Sequence, residues 1–281
     1  HEHGWDKWFQ GREMHMRSDG NELYVGGFRI FFERKGKGPP LVLLHGALGD
    51  SRDWRRQLDG LCDDFDVVAW DAPGCGRSSD PPETYRLSDF ADTLVAFIRE
   101  IGLERPHVLG LSFGSSLVLE FYRRYPEIPK KLVLASAYAG WAGSLPPEVV
   151  AARLEVALAD AERPPEQVVE AWMPSMFPET APAELIAETA AIMSDFHPAG
   201  MRAMARSLAE ADLRSVLPLI AVPTLLLYGE LDERSPLHVA RELNSLIPAS
   251  RLVVIPGVGH LANVEAPETF NSSVRDFLLT P

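Results

Sequence analysis

His107-Val108-Leu109-Gly110-Leu111-Ser112-Phe113-Gly114-Ser115-Ser116-Leu117-Val118 joins a short apolar run, Val108 to Leu111, to a segment, Ser115 to Arg124, whose apolar residues recur with helical spacing. Between them stands Gly-x-S-x-G, with glycines at 110 and 114 around Ser112. By average glycine and serine usage such a pentapeptide arises by chance about 0.1 times in a chain of this length, so its placement between strand and helix carries the weight. The turn it implies is tight enough to strain the serine backbone and to lift its hydroxyl off the end of the strand. Side chains at positions 110 and 114 would collide with the neighbouring strand and helix, and glycine removes them.

Outward from this turn the chain alternates. Leu23 to Val25, Phe28 to Glu33, Leu41 to Leu44, Val67 to Trp70, Leu132 to Leu134, Leu225 to Tyr228 and Leu252 to Ile255 read as further strands. Phe90, Leu94, Phe97, Ile98 and Ile101 lie on one helical face with Ser88 as its expected N-cap, and Leu237 to Leu246 and Thr269 to Leu279 read as helices. Continuous apolar strands separated by helices predict an α/β fold, a mostly parallel sheet covered on both faces. The alternation stops between Gly140 and Leu217, where helices are expected from Pro147, Pro165, Pro182 and Pro198 with no strand among them. The expected organisation is therefore a leader over 1–20, a core domain over 21–139 and 218–281, and an all-helical insertion over 140–217. Trp172, Met176 and Met204 in the insertion, with Trp141 at its start, are candidate pocket residues, although apolar side chains of this kind also serve as a subdomain's own core.

A serine hydroxyl attacks carbonyl carbon only when a base takes its proton and a carboxylate orients that base. His260 is the candidate base, in the loop Pro256-Gly257-Val258-Gly259-His260 after the last strand; His1, His3, His15, His107, His197 and His238 have no such setting. For the carboxylate, Gly229-Glu230-Leu231-Asp232-Glu233 follows the strand Leu225 to Tyr228, and proximity alone leaves Asp232 in competition with Glu230 and Glu233.

The order Ser112, Asp232, His260, with the strand-turn-helix and the parallel sheet, resembles the α/β-hydrolase fold superfamily from about Gly27 to Leu279. The Gly-x-x-Asp spacing of that superfamily selects Asp232. Leu43-Leu44-His45-Gly46-Ala47 is similar to its His-Gly loop, which implies that Ala47 supplies one oxyanion-hole N–H and Phe113 the other, with His45 supporting the loop. Asp71-Ala72-Pro73-Gly74-Cys75-Gly76-Arg77-Ser78 resembles a structural turn of the superfamily, and the helical insertion resembles its cap domain. Ser112 excludes the aspartate-nucleophile mechanisms of epoxide hydrolases and haloalkane dehalogenases. Leu261 replaces the tryptophan usual after the histidine of C–C bond hydrolases, and Gly259 to Glu268 is similar to esterases and enol-lactonases. The resemblance implies a cofactor-free and metal-free serine esterase or lactonase acting on small, apolar esters or lactones. The alternatives are a C–C bond hydrolase of the meta-cleavage type and a strigolactone-receptor-like protein with slow turnover.

Composition agrees with a small-molecule role. The 281 residues carry 27 Lys and Arg against 40 Asp and Glu, a net charge of −13 that repels nucleic acid. No apolar run approaches the ~20 residues of a membrane span. Cys62 and Cys75 are the whole cysteine content, so a disulfide framework is not expected, Cys75 is expected to be a packed thiol, and a cytoplasmic location is the default, with secretion left open because the sequence starts at His1 rather than Met and need not begin at the natural N-terminus. Gly74-Cys75-Gly76-Arg77-Ser78-Ser79 lacks both the third glycine and the following helix of a dinucleotide loop, and Asn271-Ser272-Ser273, a sequon in form, falls in the closing helix.

Overall fold

The computed structural model describes residues 20–281, so the expected leader, with His1, His3 and His15, lies outside the described residues. Eight strands form one sheet: β1 Asn21–Val25, β2 Phe28–Lys35, β3 Pro40–Leu44, β4 Asp66–Trp70, β5 His107–Leu111, β6 Leu132–Ala135, β7 Thr224–Gly229 and β8 Ser250–Ile255, in the order β1-β2-β4-β3-β5-β6-β7-β8. β1 pairs antiparallel with β2 and β2 with β4; the other five pairings are parallel.

The pleat explains why the central strands are apolar throughout. Val42, Leu44, Val68, Trp70 and Val108 belong to one buried cluster, while Leu41, Leu43, Val67, Ala69, Leu109 and Leu111 belong to another. Successive residues point to opposite faces, and both faces are covered. On the first face lie α2 (Leu87–Glu100), α3 (Phe113–Arg124) and α9 (Leu237–Leu246); on the second lie α1 (Arg55–Leu61) and α11 (Pro267–Leu279). A short helix, α10 (Ala262–Glu265), precedes α11.

Between β6 and β7 the chain forms α4 (Trp141–Ser144), α5 (Pro147–Asp160), α6 (Pro165–Met176), α7 (Ala183–Met193) and α8 (Pro198–Glu210), then a 3₁₀ turn at Arg214–Leu219. Pro147, Pro165 and Pro198 occupy the first helical position, where the missing N–H costs nothing, and Pro182 stands one residue earlier. Ser88 is not the N-cap of α2. Arg86 holds that position and its backbone N–H donates to Asp89 Oδ2 at 2.8 Å, so the acid inside the first turn, rather than the serine, satisfies the helix start. No described helix is long and apolar enough to cross a membrane.

Candidate active site

Ser112 sits between β5 and α3 with φ 55° and ψ −115°. Its N–H donates to the Ala135 carbonyl at 3.0 Å, holding the turn against β6. The two flanking glycines are required by contact: a Cβ on Gly110 would lie 2.1 Å from the Gly114 carbonyl oxygen, and one on Gly114 would lie 2.1 Å from that of Leu44. Positive φ at non-glycine residues falls at Leu48, Arg105, Ser112 and Ser136 among the described residues, and three of these four are on loops around this turn. Strain of this kind costs about 1–3 kcal/mol per residue and collects where a side chain must be held in place.

His260 and Asp232 meet from the ends of β8 and β7. The His260 Nδ1–H donates to the Asp232 carboxylate, whose oxygens both lie 2.9 Å away, and both side chains are shielded from water. With Nδ1 as donor, Nε2 is left with the acceptor lone pair. Asp232 Oδ1 also accepts the backbone N–H groups of Arg234 and Ser235, each at 2.9 Å. Burial opposes the charge of Asp232, but His260 and the Ser235 N–H together hold its carboxyl below the usual carboxylate range. Glu230 and Glu233 are exposed on the same loop, so the structure brings Asp232 alone of the three to the imidazole.

Three supports of His260 have no local signature in the sequence. The Ser136 hydroxyl donates to the His260 carbonyl at 2.8 Å, the His260 N–H donates to the Met176 carbonyl at the end of α6, and Glu265 accepts the Gly259 N–H at 2.6 Å.

The His45 loop lies beside the nucleophile: a Cβ on Gly46 would be 3.3 Å from Ser112 Cβ. His45 braces it, donating from Nδ1 to the Gly46 carbonyl at 2.8 Å while Nε2 accepts the Ala72 N–H at 3.1 Å. Ala47 lies on this loop, and Phe113 is the first residue of α3, so its N–H is among those a helix leaves without an internal acceptor. The Phe113 ring turns away into the core, edge-on to Phe90 at 5.3 Å. Asp71 accepts the Ser51 and Arg77 N–H groups at 2.7 and 2.9 Å, a structural turn as expected.

Ser112 and His260 open into one cavity whose walls include Ala47, Trp141, Trp172, Met176, Met193 and Met201. Trp172 is fixed by its indole N–H, which donates to Asp160 at 2.9 Å. Met204 is not part of this wall. It is buried with its sulfur 3.9 Å from Cys75 Sγ, beside a separate small cavity, because its turn of α8 faces the Asp71–Ser78 loop. Burial pushes the Cys75 thiol well up, which makes it a packed, unreactive group. Two ionisable residues with no motif around them in the sequence also line the main cavity. Asp53, buried and beside Asp50, has its carboxyl pushed up to about 8 by loss of solvent first and by that neighbour second. Arg234 is the other.

A model of the alpha/beta hydrolase family matches residues 41–273. A protein of Pseudomonas savastanoi pv. phaseolicola named "Putative carbamate hydrolase RutD" is 30% identical over 252 residues, covering 85% of this chain and 93% of its own. Among solved structures, a thermophilic esterase from Thermogutta terrifontis, with malate bound, superimposes with a TM-score of 0.86 at 29% identity over 93% of this chain and 98% of its own. An esterase from Exiguobacterium antarcticum gives 0.83 at 25% identity over 93% and 100%.

Proposed function

The chain belongs to the alpha/beta hydrolase family and is a hydrolase, and from that premise we propose that it cleaves small carboxylic esters or lactones with apolar acyl groups through an acyl-enzyme on Ser112. One observation carries the reading: a serine on a strained turn shares a single cavity with an imidazole whose other nitrogen is held by a buried carboxylate.

In the proposed sequence His260 Nε2 takes the Ser112 proton as Oγ bonds to the carbonyl carbon. The Ala47 and Phe113 N–H groups receive the oxyanion, and the dipole of α3 favours negative charge there. The C–O bond to the alcohol then breaks, and the alkoxide leaves with the proton from His260; in a lactone it stays tethered to the acyl group. Water, deprotonated by His260, attacks the acyl carbon, the acid departs, and the proton returns to Ser112. Asp232 keeps the imidazole in the productive tautomer and stabilises its cation. The Trp and Met walls support selection of the acyl group, because a methylene more or less in an apolar pocket is worth ~1–3 kcal/mol. The unpaired thiols Cys62 and Cys75 support a cytoplasmic setting.

The test is multiple-turnover hydrolysis of short p-nitrophenyl esters by wild type and Ser112→Ala. Wild type is expected to turn over continuously, and the variant to lose on the order of 10⁴ to 10⁶ in kcat. A variant keeping a tenth of the activity contradicts the reading, and one stoichiometric burst without further turnover identifies a ligand receptor instead.

A further inference from the structure

Trp141, Trp172 and Arg234 line two cavities at once: the catalytic one and an open cleft between α5 and α6, walled also by Glu148, Arg153 and Ser175. They are therefore the partition between Ser112 and the surface of the helical segment. Two guanidinium groups meet at this partition, and neither has a carboxylate among the ion pairs of the described residues. Arg234 places its Cζ 4.5 Å from the centre of the Trp172 ring and donates to the Ser175 hydroxyl at 3.2 Å. Arg153 donates to the Arg234 carbonyl at 2.8 Å and lies 5.7 Å from the Trp141 ring centre.

The charge balance at this place is lopsided. Loss of solvent first, and the like charge of Arg153 against the pull of Tyr138 and Asp232, push the Arg234 guanidinium below its ordinary value. Asp232 pulls on Arg234 but its carboxylate is bonded to His260 and makes no ion pair with the guanidinium, Asp53 is held protonated at neutral pH, and Glu148 is exposed at the rim of the cleft. The Trp141 side chain is buried and its indole N–H meets no acceptor. Two cations without an ion-pair partner among the described residues, one of them largely out of water, and an orphaned N–H donor are costly to keep in a folded protein. A planar anion taking both N–H groups of a guanidinium removes that cost.

We propose that this partition is a carboxylate subsite, so that the substrate is an ester or lactone carrying a free carboxylate remote from the bond cleaved, gripped by Arg234 with Arg153 and the Trp141 N–H while the apolar connecting chain lies on Trp172. The proposal rests on the ester-hydrolase reading above and names the substrate class for it. A net charge of −13 disfavours dense polyanions, so a single carboxylate is the fitting ligand.

The experiment compares monomethyl esters of α,ω-dicarboxylic acids of four to eight carbons with methyl esters of the monocarboxylic acids of equal length, on wild type, Arg234→Gln, Arg234→Lys and Arg153→Gln. At one or more chain lengths wild type is expected to favour the carboxylated ester by at least 10-fold in kcat/KM. Arg234→Gln removes that preference, and Arg234→Lys restores only part of it because the fork is lost. In parallel, calorimetric titration with the free dicarboxylates is expected to give saturable binding to wild type that weakens at least 10-fold in Arg234→Gln, with thermal unfolding confirming that the variant is folded. A preference ratio that is the same in wild type and Arg234→Gln, or no saturable dicarboxylate binding, overturns the subsite while leaving ester hydrolysis standing. Dicarboxylate binding without turnover of any ester overturns the hydrolase reading and leaves the subsite standing.

Discussion

Ser112 holds φ 55° without being glycine, and the strain of that conformation has a measurable sign. Ser112→Gly removes both the nucleophile and the strained Cβ, whereas Ser112→Ala removes only the hydroxyl. Ser112→Gly is therefore expected to melt higher than Ser112→Ala, the relief of about 1–3 kcal/mol exceeding the extra chain entropy of glycine, about 0.5–1 kcal/mol. Equal or reversed melting temperatures would show that the turn is relaxed. The carboxylate offers a second check at this scale. Asp232→Asn is expected to lower kcat by about 10⁴ by stranding His260 in the wrong tautomer, while Glu230→Gln and Glu233→Gln, both exposed, leave it within about 3-fold. Damage from Glu230→Gln equal to that from Asp232→Asn would reassign the acid. Ser112, His260 and Asp232 were readable because each follows an apolar strand in a loop with its own glycine pattern. Ser136, Asp53 and Arg234 carry no such mark: what makes them matter is a neighbour more than a hundred residues away for Ser136, burial beside Asp50 for Asp53, and for Arg234 the lack of an ion-pair partner among the described residues.

Among the elements, the strands and the Pro-started helices follow from period and punctuation alone. α1 does not stand out in the sequence although Trp54, Leu58 and Leu61 are spaced as one helical face; seven residues are too few for periodicity to show beside the His45 and Asp71 loops. In α8 the sequence marks the helix but not its rotation, and rotation decides which methionine lines the cavity. Met201 faces Ser112's cavity and Met204, one turn on, faces Cys75. Accordingly Trp172→Ala and Met176→Ala are expected to shift relative kcat/KM among acyl chain lengths by roughly 10-fold. Met204→Ala keeps the wild-type chain-length profile and loses about 2–5 kcal/mol of stability. A changed profile in Met204→Ala, or an unchanged one in both of the others, would relocate the pocket.

For the molecule as a whole, two buried groups shape stability against pH in opposite directions. His107, desolvated first and repelled by Lys130 and Lys131, titrates at about 4 instead of its ordinary 6.5, so its contribution is present above about 6.5 and is lost as pH falls toward 4. Asp53 titrates at about 8 instead of 3.8, so its contribution is full below about 4 and is lost as pH rises through 8. Asp53→Asn, which keeps the shape and stays neutral, is expected to melt at least ~2 °C above wild type at pH 9 and to lie closer to it at pH 5, since about 1 kcal/mol moves the midpoint of a chain this size by about 2–4 °C. A variant that tracks wild type at both pH values would mean that the carboxyl is already ionised at neutral pH.

The central claim, that the chain works through a covalent bond to Ser112, has a direct measurement: intact-protein mass spectrometry after treatment with a fluorophosphonate, followed by peptide mapping. One adduct per chain is expected, located on Ser112, formed by wild type, slowed by orders of magnitude in His260→Ala and absent in Ser112→Ala. An adduct on another residue, or labelling of wild type and Ser112→Ala at equal rates, would contradict it.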